Sequence, residues 1–279
     1  GWAGDWQPLV LEGLQYFDRV YKRSDGFYGA LASSEGEIID ASFDLYNQAF
    51  AILAFCYTAR VYPSLQTEMA ERASSSALRQ SYSHEHAGFH EANPAKLPLC
   101  SNPHMHLFEA ALACEETDGF KQSEWRDLAN DIAHLCMSHF IDNESGGLRE
   151  FFNADWTPFD GEKGRIMEPG HQFEWAWLLA RWGERRSNEK ALIHAKHLFD
   201  IGEAYGICGD RKVAVMALLD DFSLHDNLAR LWPQTEWLKS AIRLAVLSKG
   251  KERARYLRSA SNAADALHRF LAVPTLGLW

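Results

Sequence analysis

Glu168-Pro169-Gly170-His171-Gln172-Phe173-Glu174-Trp175-Ala176-Trp177 places Pro and Gly ahead of an apolar, aromatic run, the pattern of a helix N-terminus. His171 and Glu174 stand three residues apart and share one face of that helix. An imidazole beside a carboxylate has its charged form favoured. It can then sit near neutrality and move protons as a general acid or base. A histidine that merely satisfies its neighbours on a half-buried helix has the same local pattern, so the rest of the chain has to separate the two readings.

The layout recurs on both sides of this stretch. Asp44 to Val61 carries Leu45, Ala49, Phe50, Ile52, Leu53, Phe55 and Cys56, and predicts a helix buried nearly all round. Pro103 to about Glu116 and Pro233 to Leu247 predict two more inner helices. More polar outer partners follow at Ser64–Tyr82, Trp125–Phe140, Asn188–Tyr205 and Lys251–Leu271, and Trp6–Arg23 is an amphipathic helix ahead of them all. Long loops lie between, with short strands expected at Phe27–Leu31, Glu37–Asp40, Leu148–Phe152 and Val213–Leu218. Superposing the inner helices aligns Asn47, Glu109, Glu174 and Glu236, at steps of 62, 65 and 62 residues. Such a repeat predicts an all-α, two-layer toroid of helical hairpins with short β-hairpins in its loops. The polar residues gather at the N-terminal ends of the inner helices. Free N–H groups and partial positive charge there suit the hydroxyls or oxyanion of a sugar, although helix caps would use the same residues.

Composition narrows the partners. The 279 residues are 47% hydrophobic, enough for a sizeable core, and carry a formal charge of −10. That balance argues against nucleic acid or an anionic membrane, and mildly against a highly phosphorylated substrate. Ten Trp, nine Tyr and sixteen Phe serve core packing or sugar stacking equally well. Five widely spaced cysteines without a C-x-x-C pair predict a reducing, cytoplasmic setting. No apolar run is long enough for a membrane span, and the start Gly1-Trp2-Ala3-Gly4-Asp5 has neither a signal-peptide pattern nor an initiator Met.

Four motifs resemble the N-acylglucosamine 2-epimerase superfamily, which includes mannose isomerases, sulfoquinovose isomerases and cellobiose 2-epimerases. They are Asp44-Leu45-Tyr46-Asn47-Gln48-Ala49-Phe50; Asn102-Pro103-His104-Met105-His106 with Glu109; Glu168-Pro169-Gly170-His171 with Glu174-Trp175; and Arg230-Leu231-Trp232-Pro233-Gln234-Thr235-Glu236-Trp237. The resemblance implies one (α/α)6-barrel catalytic domain over residues 1–279, acting on an open-chain sugar without metal or organic cofactor. It implies that His171 is the acid/base at sugar C2, with Glu174 as its supporting carboxylate. Asn102, His106, Trp232, Glu168 and Gln234 would bind the substrate. Family members usually carry an Arg-bearing helix before the position of Gly1 and a second catalytic His after a segment like Gly277-Leu278-Trp279. With four clear repeats where a closed toroid needs six, the barrel is expected to be incomplete, its exposed helix faces apolar and its activity alone low.

The implied reaction is aldose–ketose isomerisation of the mannose/fructose type through an enediolate. The alternatives are 2-epimerisation, an (α/α)6 glycoside hydrolase with Glu168 and Glu174 as its two acids, and a non-catalytic sugar- or partner-binding scaffold. Self-association into a homo-oligomer stays open. His84, His86, His90, His104 and His106 invite a metal reading, but no Cys joins them and none is expected to bind metal. Asp221 and His225 are read as rim residues or as part of a solvated loop, and Ser248–Arg258 as a solvated helix face.

Overall fold

The computed structural model describes residues 4–272; the Gly277-Leu278-Trp279 segment lies outside them. The chain folds into two compact units, Gly1–Ile132 and Ala133–Trp279. In the first, α1 (Gln7–Tyr21) precedes the antiparallel pair β1 (Leu31–Ala32) and β2 (Ile38–Asp40), then β3 (Phe43–Asp44) and α2 (Leu45–Val61). Asp44 starts α2 by accepting from the Asn47 N–H at 2.9 Å. Next come α3 (Gln66–Arg72), α4 (Ser75–Tyr82), β4 (Ala92–Asn93), which pairs antiparallel with β3, β5 (Leu99–Cys100) and α5 (Ser101–Glu115). The division between the units falls inside α6 (Gln122–Leu135).

The second unit continues through a π-helical turn at Cys136–Phe140, β6 (Phe151–Phe152) and two hairpins of helices. α7 (Pro169–Arg186) packs on α8 (Glu189–Tyr205), and α9 (Leu231–Leu247) on α10 (Gly250–Leu271). Between the hairpins, β7 (Ala217–Leu218) pairs antiparallel with β8 (Leu224–Asp226). Phe173, Phe199, Trp237 and Tyr256 form a continuous aromatic seam through these helices, with neighbouring ring centroids 5.2–6.0 Å apart. Gly202 lets α8 approach it, because a Cβ there would run into the Phe173 ring. No described helix is long and apolar enough to cross a membrane.

The all-α class and the alternation of inner and outer helices match the sequence expectation, with three local differences. The expected Ser64–Tyr82 helix is broken into α3 and α4, because Ser74 leaves helical geometry and caps a new start by accepting from the Ala77 N–H. α2 is not buried all round: Tyr46, Phe50, Tyr57 and Val61 are exposed. The strands expected over Phe27–Leu31, Leu148–Phe152 and Val213–Leu218 are confined to Leu31–Ala32, Phe151–Phe152 and Ala217–Leu218.

One device recurs in every hairpin described. Just after an outer helix the chain makes an isolated β-bridge, Lys22 with Tyr28, Ser83 with Phe89, Ile141 with Leu148, or Ile207 with Ala214. The second residue of each bridge is then held by a side chain near the start of the following inner helix. Gln48 accepts from the Tyr28 N–H at 3.0 Å and donates to its carbonyl at 2.7 Å. Gln172 does the same for Leu148 (2.9 and 2.8 Å), and Gln234 for Ala214 (2.8 and 3.0 Å). In the remaining hairpin His104 accepts from the Phe89 N–H at 3.0 Å through Nε2 and donates Nδ1–H to the Cys100 carbonyl at 3.1 Å. These clamps set the true equivalence of the inner helices. His106, Glu174 and Glu236 each lie two residues past a clamp, Glu109 lies five past and Asn47 one before, so the alignment on Asn47 and Glu109 is corrected.

Removing a clamp strands a buried N–H and a buried carbonyl together. Gln172→Ala is expected to lower unfolding stability by roughly 2–4 kcal/mol, measured by urea denaturation. His104→Gln restores the amide used by the other three clamps and should fall within about 1 kcal/mol of the parent; a larger loss would show that the ring itself is required.

Candidate functional site

Gln172 fixes Leu148, and that clamp carries a neighbouring residue into place. Two residues along the extended segment, Glu150 lies beside His171, the residue before the clamp. The Glu150 backbone donates to the Ile166 carbonyl at 3.2 Å, which ties down the loop on its other side. Its carboxylate then takes the mouth of α7 in two places. Oε2 lies 2.8 Å from Nδ1 of His171, and Oε1 accepts from the backbone N–H of Glu168 at 3.3 Å. Glu168 itself is the N-cap residue, with its Oε2 3.8 Å from the same Nδ1. The Trp232 ring leans over the imidazole at a centroid distance of 5.1 Å. Gly170 permits this, since a Cβ there would overlap the Trp232 ring.

The electrostatics arise from burial and company. Burial alone would pull the His171 pKa down, but the Glu150 carboxylate, then those of Glu168 and Glu174, reverse it and push it up to about 10. The charged form of the ring is thereby favoured beyond that of an isolated imidazole. Glu168 is raised to about 7, first by burial and then by Glu150 and Asp226, against the pull of His171 and Arg230.

Sequence reasoning missed Glu150, because the clamp that brings it to His171 bridges 24 residues. Glu150 hydrogen-bonds the ring, and Glu174, expected as the supporting carboxylate, is buried and also favours the charged ring. Gln234, expected on the substrate, is fully buried with its amide committed to Ala214 and the Arg230 carbonyl. It is a structural clamp. Asp220 and Asp221 pair with Arg165 on the loop before Trp232, and His225 is exposed there.

The first unit holds the remaining candidates. Asn102 sits in the first turn of α5 with its Oδ1 buried and without a hydrogen-bond partner among the described residues. His106, one turn on, lies between Tyr46 and Phe50 at ring distances of 4.8 and 4.7 Å, with Nδ1 4.0 Å from Glu109. His104 is a neutral core histidine whose pKa is lowered to about 4, chiefly by burial. Both of its ring nitrogens serve backbone groups, which removes it from the histidines weighed as metal ligands.

Both raised groups bind protons more tightly folded than unfolded, so each loses stability as pH rises through its window. For Glu168 that window runs from 4.5 to about 7, and for His171 from 6.5 to about 10. Thermal melts should show stability falling between these limits, and His171→Gln should flatten the upper part relative to the parent.

The whole chain, residues 1–279, matches the family model described as N-acylglucosamine 2-epimerase. A "Mannose-6-phosphate isomerase" of Rhizobium meliloti (strain 1021) is 61% identical over 100% of this chain and 73% of the relative. Among solved structures, a D-mannose isomerase superposes with a TM-score of 0.82 at 21% identity, over 96% of this chain and 70% of that one. A cellobiose 2-epimerase from Bacillus thermoamylovorans B4167 gives 0.79 at 17% identity, over 94% and 69%. These likenesses show the (α/α)6 hairpin fold. By the match along its full length, the chain belongs to the N-acylglucosamine 2-epimerase family.

Proposed function

We propose that this chain is the catalytic domain of a sugar isomerase that interconverts an aldose and a ketose of the mannose/fructose type. The supporting observation is the imidazolium of His171, held by Glu150 and flanked by Glu168 and Trp232 at the mouth of α7. Isomerisation passes the C2 proton to a base, a role open to the Glu168 carboxylate beside the ring, and the C2–H electron pair moves toward the C1 carbonyl to give an enediolate. A proton then returns at C1 while O2 becomes the carbonyl, so the redox change is internal to the sugar. His171 gives a proton to O1 as charge develops there and takes one from O2 as the ketone forms. Asn102, with an acceptor oxygen already dehydrated, receives a sugar hydroxyl.

The chemistry at the mouth favours an uncharged sugar. Glu150, Glu168, Glu174 and Asp226 all act on the His171–Glu168 pair, with Arg230 pulling the other way. A 61%-identical relative carries the name mannose-6-phosphate isomerase, so the free and the phosphorylated sugar are the two substrates to compare. The formal charge of −10 fits the absence of a nucleic-acid partner, and five cysteines outside any disulfide fit a reducing cytoplasm.

Incubation with mannose in D2O is expected to give fructose labelled at C1, with kcat/KM for mannose 6-phosphate at least about tenfold lower. Glucose as first product would replace this reading by 2-epimerisation, and absence of exchange with any hexose would overturn it. His171→Ala should lower kcat by about 10²–10⁴-fold with the circular dichroism spectrum unchanged. Asn102→Ala should chiefly raise KM; unchanged kcat/KM would remove Asn102 from the site.

A further inference from the structure

We propose that Glu150 is the positioning residue of this site, holding the His171 ring and the Glu168 backbone with its two oxygens so that Nε2 is the nitrogen offered to substrate. This role rests on the reading of His171 as the acid/base group. Three features carry it. The His171 and Glu150 side chains are only 7% and 3% exposed, so water does not compete for the bond between them. A carboxylate so deeply placed is stable only with its partner, and breaking such a pair is strongly destabilising.

The backbone around Glu150 is also pinned from both sides. Leu148 is held by Gln172, the Arg149 N–H donates to the Phe140 carbonyl at 2.9 Å, and the Glu150 N–H donates to Ile166. The Arg149 side chain adds bonds to Asp142, Asp220 and the Gly164 carbonyl at 2.8–3.3 Å, joining three loops beneath the site. Finally, Glu150 already engages Nδ1, and Trp232 lies against the ring, so the imidazole has one orientation and one remaining nitrogen. Glu174, the carboxylate expected from the sequence, stands behind Glu150 and Glu168 in its pull on the ring.

The test is the 15N titration of His171 in the labelled chain, its signal identified by its loss in His171→Gln. Glu150→Gln preserves size but not charge, and its amide can accept only through one oxygen. The His171 midpoint should fall by about one pH unit or more, while kcat drops at least about tenfold and KM changes less. An unchanged midpoint accompanied only by a lower Tm would make Glu150 a structural residue and overturn the proposal. Should Glu150→Gln not fold, Glu150→Asp replaces it. Its shorter arm must still lower the midpoint by at least about half a pH unit, and a parental midpoint overturns the proposal equally. The nitrogen shifts require no turnover, so failure of the isomerase reading leaves this result interpretable.

Discussion

A primary amide offers a donor and an acceptor side by side, so it can close a ring with the N–H and C=O of a single backbone residue. Gln48, Gln172 and Gln234 each do this near the start of an inner helix, and His104 satisfies the equivalent N–H with one ring nitrogen. The loops they hold are long and lack extended sheets, and their buried backbone groups would otherwise be unpaired. Each clamp fixes one point of a loop against one point of a helix. Residues adjoining the clamp in either segment are thereby placed as well. Glu150 and His171 meet because they are neighbours of Leu148 and Gln172, and those two residues are bound to each other.

Two buried histidines show how much the partner decides. His104 and His171 are both buried near the starts of inner helices. His104 meets a backbone donor and a backbone acceptor, which fix one neutral tautomer, and burial keeps it uncharged. His171 lies one residue to the side of its own clamp and meets a carboxylate, which outweighs the same burial penalty. The neutral amide of Gln172 takes up the structural task and leaves His171 free for another. In the hairpin of α5, the structural task falls to His104, and His106 stands two residues on, its ring against Tyr46 and Phe50.

The helices were legible because their apolar period and their Pro and Gly punctuation are local. The broken helix at Ser74 was less so, since a serine in a polar stretch reads equally well as a helix surface. The roles of Glu150 and Gln234 were not legible at all. Gln234 sits between Pro233 and Thr235 in a motif that points to a pocket, and nothing local says that its side chain turns toward Ala214. Glu150 is one acidic residue in an irregular loop, and its meaning comes only from a clamp that spans 24 residues. The acidic alignment has about the right period and keeps Glu174 and Glu236 in register, but it misplaces Asn47 and Glu109, because amides and one imidazole are the equivalent groups. A Gln or His just inside each inner helix was the signal to follow.

The charge state of His171 bears on which sugar suits the proposed reaction. An uncharged open-chain sugar meets no net Coulombic attraction in a setting where one imidazolium is surrounded by Glu150, Glu168 and Glu174. As the enediolate forms, negative charge develops on a sugar oxygen, and the proton on His171 becomes worth more than it was in the ground state. That difference is what accelerates a reaction; equal binding of both states does not. A substrate with a permanent dianion would be recognised by the same proton before any chemistry began, and would also be repelled by the carboxylates around it. A cation so enclosed stabilises a charge that appears briefly at one atom, and a free sugar brings only that charge.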